Sequence, residues 1–221
     1  MIASRLLKIR EKLHPGVTLV AVSKTRSNEE IMQAYNAGQR VFGENRAQEM
    51  AAKFEELPGD IQWHMIGHLQ RNKVKYIAPF VHLIHSVDSF RLLKEINKEA
   101  AQNNRVIPVL LQFHIAREDS KHGLQEPLPS FLTDGSMEIM KNVEIRGVMG
   151  MATFTDDETL IREEFRKLRS TFEGLKQGVM SGNTAFREIS MGMSADFLLA
   201  QEEGSTMVRV GSDIFGERKY T

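Results

Sequence analysis

The chain has 221 residues, no cysteine, and 29 basic residues against 29 acidic ones. The absence of cysteine excludes disulfides, thiolate nucleophiles and cysteine-ligated zinc or iron–sulfur sites. The zero formal charge gives no support to a nucleic acid partner, and no apolar run is long enough to span a bilayer. We therefore expect a cytoplasmic protein that binds neither nucleic acid nor membrane.

Short β-rich runs alternate with amphipathic stretches along the chain, which predicts parallel strands joined by helices. The predicted strands are residues 19–23, 40–43, 61–66, 81–86, 106–114, 144–149, 186–190 and 207–210. The predicted helices are residues 2–13, 28–37, 45–56, 70–78, 89–103, 127–140, 156–177 and 194–203. Eight such repeats favour a single α/β domain over residues 1–221, a (β/α)8 TIM-type barrel, and a doubly wound open sheet is the alternative.

Lys24 follows the first of these strands, separated from the apolar run 17–22 by Ser23 alone. The C-terminal ends of barrel strands carry the chemistry of this architecture, so Lys24 is a candidate covalent nucleophile. The alternative is an ordinary solvated lysine. A reactive lysine needs a lowered pKa, which burial or a nearby cation such as Arg209 would provide.

Two late segments have the composition of a phosphate site. They are Ser190-Met191-Gly192-Met193-Ser194 and Arg209-Val210-Gly211-Ser212. Small residues allow close backbone approach and hydroxyls donate hydrogen bonds, while the helix predicted from residue 194 would offer its free amides. Ordinary turns are the alternative for either segment, but both fall in the last two βα loops, where barrels often bind phosphate. A phosphate site beside a strand-end lysine predicts pyridoxal 5′-phosphate as cofactor.

Several motifs, in order over most of the chain, resemble the YggS/PROSC family of pyridoxal phosphate homeostasis proteins. They are Ala21-Val22-Ser23-Lys24-Thr25, Phe42-Gly43-Glu44-Asn45, Trp63-His64-Met65-Ile66-Gly67-His68-Leu69-Gln70-Arg71-Asn72-Lys73, Ser190-Met191-Gly192-Met193-Ser194 and Gly204-Ser205-Thr206-Met207-Val208-Arg209-Val210-Gly211. The resemblance runs from about Val17 to Tyr220. It implies a barrel like the N-terminal domain of alanine racemase.

The resemblance also implies roles for individual residues. Lys24 would hold pyridoxal phosphate as a Schiff base, Asn45 would lie beside the cofactor, and Arg209 would face the pyridine nitrogen. The phosphate would be held by Ser190, Met191, Gly192, Ser194, Gly211 and Ser212. Two positions depart from the family pattern: His68 stands where proline is expected, and residues 113–116 replace a strand end that usually contains asparagine.

The leading hypothesis is a protein that binds and delivers pyridoxal phosphate with little or no catalysis, with apo-enzymes that need this cofactor as candidate recipients. In the related racemase a second proton-transfer group comes from an extra β domain of a partner subunit, whereas this chain ends soon after its eighth predicted strand. A monomer is therefore expected. The alternatives are an amino-acid racemase whose second base is His64, His85 or Ser86, and an interaction protein without a cofactor.

Two further features concern metal binding and loop mobility. His64 and His68 have the four-residue spacing of a helical zinc site, but the first lies in a predicted strand and no third ligand is evident, so no metal site is predicted. The loop over residues 116–129 is rich in charge, and we expect it to be mobile.

Overall fold

A computed structural model describes residues 1–118, 122–125 and 127–217 of the chain. Part of the charged loop, residues 119–121 and 126, and the last four residues, including Tyr220, lie outside this description. The strands are β1 Thr18–Val22, β2 Val41–Glu44, β3 Gln62–Met65, β4 Leu83–Val87, β5 Ile107–Gln112, β6 Val143–Met149, β7 Glu188–Met193 and β8 Met207–Val210. The helices are α1 Ile2–Arg10, α2 Asn28–Asn36, α3 Ala47–Glu56, α4 Val74–Ile77, α5 Phe90–Gln102, α6 Glu158–Gln177, α7 Phe197–Glu202 and α8 Ser212–Phe215.

The eight strands form one closed parallel barrel in chain order. β1 closes the barrel by pairing with β8, in a register that places Thr18 opposite Met207 and Ala21 opposite Val210. The prediction of a (β/α)8 barrel is confirmed, and closure excludes the doubly wound alternative. All strand C-termini therefore meet at one face.

The main core lies between the sheet and its helices, where residues such as Phe42, Trp63 and Phe165 are buried. A small second cluster of Leu83, Leu110, Met149 and Met207 is also buried. Several polar side chains are buried on the strands as well, including His64, His85, Ser190 and Arg209. These four side chains form a hydrogen-bonded chain that ends at the C-terminal face of the barrel with Arg209.

Local sequence signals set several helix boundaries. The Ser27 side chain accepts from the amide of Glu30, and the Glu30 side chain accepts from the amide of Ser27, so α2 begins with a capping box. Gly38 follows the helix with a φ of 86°, a conformation that favours glycine. The predicted start of this helix is confirmed, and it ends one residue before its predicted end.

One predicted helix was wrong, and another begins later than predicted. Residues 127–140 contain only the short 3-10 segments Ser130–Leu132 and Ser136–Ile139, because prolines at 127 and 129 and Gly135, with a φ of 84°, interrupt any α-helix. The helix expected from residue 194 begins instead at Phe197. Residues 194–196 form a turn in which the Asp196 carboxylate accepts from the amide of Met193 at 2.5 Å.

Candidate functional site

A cavity of about 410 Å³ opens at the C-terminal ends of the strands. Its polar lining comes from the ends of β1, β2, β6, β7 and β8, so residues far apart in sequence share one space. The polar residues that line it are Lys24, Arg26, Asn45, Thr153, Thr155, Ser194, Asp196, Arg209 and Ser212. Three basic side chains against one carboxylate suit an anionic ligand.

Six of the nine predicted cofactor residues line this cavity. They are Lys24, Asn45, Ser194, Arg209, Gly211 and Ser212. The two predicted phosphate segments meet directly, because the Ser194 hydroxyl accepts from the amide of Gly211 at 3.2 Å. A side chain at position 211 would crowd Val22, since an added Cβ would lie 3.2 Å from the Val22 Cβ.

The other three predicted residues belong to β7 and are not part of the lining. The sequence placed the end of this strand at residue 190, but the strand continues to Met193 through an irregular register against β8. Met191 is buried in the main core. Gly192 has a φ of 95°, and an added Cβ would lie 2.5 Å from the Cβ of Ala200, so the turn into α7 needs glycine here.

Ser190 does not line the cavity but is hydrogen-bonded to Arg209, which does. Arg209 Nη1 donates to the Ser190 hydroxyl at 2.6 Å, and Nη2 donates to the carbonyl of Gly150 at 3.1 Å. Burial lowers the pKa of Arg209 to about 10, and the nearby Asp196 carboxylate opposes this shift. The guanidinium is therefore still a cation at neutral pH, held in a fixed orientation at the cavity floor.

The contact between Ser190 and Arg209 continues into the barrel as a chain of buried side chains. Ser190 Oγ lies 2.9 Å from His85 Nδ1, and His85 Nε2 lies 2.9 Å from His64 Nδ1. Burial lowers the pKa of His64 to about 3 and the pKa of His85 well below its usual value, so both imidazoles are neutral. Each then carries one hydrogen, and every bond of the chain is satisfied if Ser190 donates to His85 and His85 donates to His64.

The residues present fit pyridoxal phosphate. Asn45 Oδ1 is buried without a hydrogen-bond partner, and Asn45 lines the cavity, so a ligand donor would satisfy it. An amine at Lys24, cations, and small residues at 194, 211 and 212 share this cavity, and these are the groups that an aldehyde with a phosphate requires.

Some lining residues were not among the predicted site residues. Arg26 lies two residues after Lys24, and its Nη2 donates to the carbonyl of Gly216. Phe154 is 84% exposed at the cavity mouth although it is aromatic. Asp196 belongs to none of the motifs found in the sequence. It reaches the cavity because residues 194–196 form a turn before α7.

His68 and the charged loop lie beside this face. The His68 imidazole is half exposed and pairs with Asp88, with 3.2 Å between Nδ1 and Oδ2. The described ends of the loop are anchored: Gln112 donates to the carbonyl of His122, and the amide of Arg117 donates to Glu164. Its expected mobility stays a prediction.

Within the described ranges, no group of three or more His, Asp or Glu side chains is arranged to hold a metal ion. His64 contacts His85, and His68 contacts Asp88. Over the same residues, none of the helices combines the length and the apolar character needed to cross a bilayer.

Comparison with known proteins identifies relatives over nearly the whole chain. The model of the alanine racemase N-terminal domain family matches residues 1–219. A pyridoxal phosphate homeostasis protein from Aquifex aeolicus is 40% identical, over 99% of this chain and 96% of its own length. A human protein of the same name is 37% identical, over 92% of this chain and 77% of its own length.

Solved structures agree. PipY from Synechococcus elongatus, solved with pyridoxal phosphate bound, is 36% identical with a TM-score of 0.86 and matches 98% of this chain and 100% of its own. Its structure without the cofactor gives a TM-score of 0.90 over the same coverage. Alanine racemase from Bartonella henselae, 16% identical with a TM-score of 0.70 over 99% of this chain and 63% of its own, shares the fold.

Proposed function

Because the chain belongs to the family of pyridoxal phosphate homeostasis proteins, built on the alanine racemase N-terminal barrel, we propose that it binds pyridoxal 5′-phosphate and releases or delivers it with little or no catalysis. The observation that carries the proposal is that Lys24, Asn45 and Arg209 line one cavity of about 410 Å³. Residues of the loops after β7 and β8 line the same cavity. When bound, pyridoxal phosphate supplies an aldehyde that condenses with amines and a ring that withdraws electrons.

In this proposal each side chain has a distinct task. The Lys24 amine holds the aldehyde covalently. Beside it, the Asn45 side-chain oxygen, which has no hydrogen-bond partner among the described residues, accepts a hydrogen bond from the cofactor. The Arg209 guanidinium faces the ring nitrogen and disfavours its protonation, since a fixed cation opposes a second positive charge. The phosphate is held by Ser194, Gly211 and Ser212 at the cavity, with Ser190, Met191 and Gly192 shaping the strand beneath.

The proposal also extends to the whole chain. Residues 1–221 form one cofactor-binding domain, an assignment supported by the family match over residues 1–219. A monomer is supported by the closed barrel, which offers no strand edge for pairing. The proposal also places this activity in the cytoplasm, with apo-enzymes that require the cofactor as recipients.

Substitution of Lys24 tests the binding proposal. We expect Lys24→Ala to abolish cofactor that borohydride reduction fixes to the protein, while weaker binding through the phosphate survives. The readouts are the visible absorbance of the purified protein after incubation with pyridoxal phosphate and the mass of the reduced protein.

Lys98→Ala is the matched control, because Lys98 is an exposed lysine that pairs with Glu95 on α5. It should trap cofactor like the unaltered chain. Undiminished trapping in Lys24→Ala, or no absorbance change in the unaltered chain, would contradict the proposal and favour an interaction protein without a cofactor.

A further inference from the structure

Lys24 lies in a tight turn that is unusual for its residue types. The amide of Arg26 donates to the carbonyl of Ser23 at 3.0 Å, so Lys24 and Thr25 are the two central residues of the turn. Thr25 has a φ of 64°, in the left-handed region that β-branched residues rarely adopt. Turns of this kind usually carry glycine at that position, so this turn needs support from outside.

That support comes from a buried ammonium group. Lys53, on α3, is 7% exposed, and its Nζ lies within hydrogen-bond distance of three acceptors. It donates to the carbonyl of Ser23 at 2.9 Å, to Glu44 Oε1 at 2.8 Å and to Glu49 Oε1 at 2.7 Å. An ammonium has three hydrogens, so all of them are engaged.

The two carboxylates complete the support. Glu49 Oε1 accepts from the amide of Thr25 at 2.6 Å, and Glu44 Oε1 accepts from the Ser23 hydroxyl at 2.6 Å. The Ser23 carbonyl belongs to the peptide group before Lys24, and the Thr25 amide belongs to the one after it. The cluster of Lys53, Glu44 and Glu49, which we call the Lys53 cluster, thus holds both peptide groups that flank Lys24.

We propose that the Lys53 cluster fixes the backbone of Lys24 and thereby directs its amine into the cavity, so that Lys53, Glu44 and Glu49 are positioning residues for covalent capture of the cofactor. This inference rests on the proposed function of Lys24. The lysine side chain has four rotatable bonds, and capture of an aldehyde depends on where its amine is held. Fixing the backbone on both sides sets the point from which this side chain extends, and Lys53, Glu44 and Glu49 do so without lining the cavity themselves.

The test measures the rate at which pyridoxal phosphate becomes fixed to Lys24, followed by borohydride quenching and peptide mass mapping. We expect Lys53→Met, which keeps the aliphatic stem, and Glu49→Ala to slow the modification of Lys24 by about tenfold or more. Lys98→Met is the matched control, because Lys98 also lies near two glutamates, Glu95 and Glu99, but on the exposed face of α5. It should react at the rate of the unaltered chain.

A rescue separates positioning from a general loss of structure. Glycine adopts positive φ without strain, so adding Thr25→Gly to Glu49→Ala should restore a large part of the lost rate. Failure of this rescue would mean that the turn is not what Glu49 supports, and modification of Lys24 at the unaltered rate in Lys53→Met would overturn the proposal. If Lys53→Met does not fold, as judged by circular dichroism, the partly exposed Glu49 decides the question.

Amide hydrogen exchange at Thr25 gives a readout that needs no cofactor. We expect protection of this amide in the unaltered chain and at least about tenfold faster exchange in Glu49→Ala, since its acceptor is removed. If the unaltered chain never takes up cofactor at Lys24, the proposed function fails. Amide exchange at Thr25 then remains as the test of whether the Lys53 cluster fixes this turn. Equal exchange in both proteins would then reject this role of the cluster.

Discussion

His64 and His85 are unusual at the level of single residues, because their two buried imidazoles are hydrogen-bonded to each other inside the barrel. His64 is 2% exposed and His85 is completely buried. The Nε2 atom of His64 has no hydrogen-bond partner, so protonating this ring would place an uncompensated charge in the interior. Because both imidazoles are neutral, the hydrogen-bonded chain that leads through Ser190 to Arg209 carries no positive charge besides that of the guanidinium.

The buried histidines predict a specific loss of stability in acid. The folded pKa of His64, about 3, lies below its unfolded value, so between about pH 6.5 and pH 3 the unfolded chain binds a proton that the folded chain does not. The free energy of unfolding should therefore fall with decreasing pH, by about 1.4 kcal/mol per pH unit for this one group. In His64→Gln the slope between pH 6 and pH 4 should be shallower by that amount, as measured by urea unfolding at each pH.

The matched control is His14→Gln, because His14 is exposed. Because it leaves the His64 ring in place, it should keep the part of the slope that comes from this ring. An unchanged slope in His64→Gln would mean that the ring is protonated in the folded state, and the neutral chain to Arg209 would then be wrong.

At the level of elements, α6 holds one wall of the cavity through a buried carboxylate. Glu164 is 4% exposed, and its Oε2 accepts from the amide of Thr153 at 2.6 Å. Its Oε1 accepts from the Thr153 hydroxyl at 2.7 Å and from the amide of Arg117 at 3.0 Å. One side chain thus joins the loop after β6, which lines the cavity, to the loop after β5.

We expect Glu164→Gln to loosen this wall. The amide nitrogen of glutamine must face either the Thr153 amide or the Arg117 amide, so one donor is left opposite another donor. Loss of a charge-assisted hydrogen bond should lower the free energy of unfolding by about 1.5–3 kcal/mol and speed release of bound pyridoxal phosphate severalfold. Denaturant unfolding and the decay of cofactor absorbance after dilution measure the two effects.

Glu163→Gln provides the comparison on the same helix. Glu163 is 58% exposed and lies 3.5 Å from Arg117 Nη2, so its loss should change stability by less than about 1 kcal/mol. If the two variants release cofactor equally fast, the buried carboxylate does not control the wall.

Elements with a strong local pattern could be predicted from the sequence, and those shaped by tertiary contacts could not. The apolar run before Lys24 and the capping box of α2 act over a few residues, so β1 and α2 lie within one residue of their predicted bounds. The end of β7 depends instead on its pairing with β8, where Met193 lies opposite Arg209. This is why the predicted phosphate residues are divided between the cavity and the strand beneath it.

The same reason limits what the sequence could say about the site. Lys24 stands out because it ends an apolar run. Lys53 does not, because a lysine four residues after Glu49 is typical of an exposed helical pair. Only the fold shows that this pair is turned inward, against the carbonyl of Ser23.

At the level of the whole molecule, the barrel keeps the three candidate second bases of the racemase alternative away from the cavity that Lys24 lines. Racemisation requires proton transfer on both sides of the substrate Cα. His64, His85 and Ser86 are buried on β3 and β4 and do not line the described cavity. Of the described lining residues, none is a tyrosine or a histidine, and the Asp196 carboxylate accepts from the amide of Met193.

We therefore expect the full chain, loaded with pyridoxal phosphate, to racemise L-alanine and other L-amino acids at well under ~1 s⁻¹, the lower end of the usual range for enzymes. Chiral chromatography of the products measures racemisation. Exchange of the Cα proton in deuterated water measures transfer on one side only, so exchange without racemisation would fit a site with a single proton-transfer group. Turnover between ~1 and 10³ s⁻¹ would identify the chain as a racemase. Asp196→Asn would then show whether this carboxylate, the one described acidic group on the cavity wall, is the second proton-transfer group.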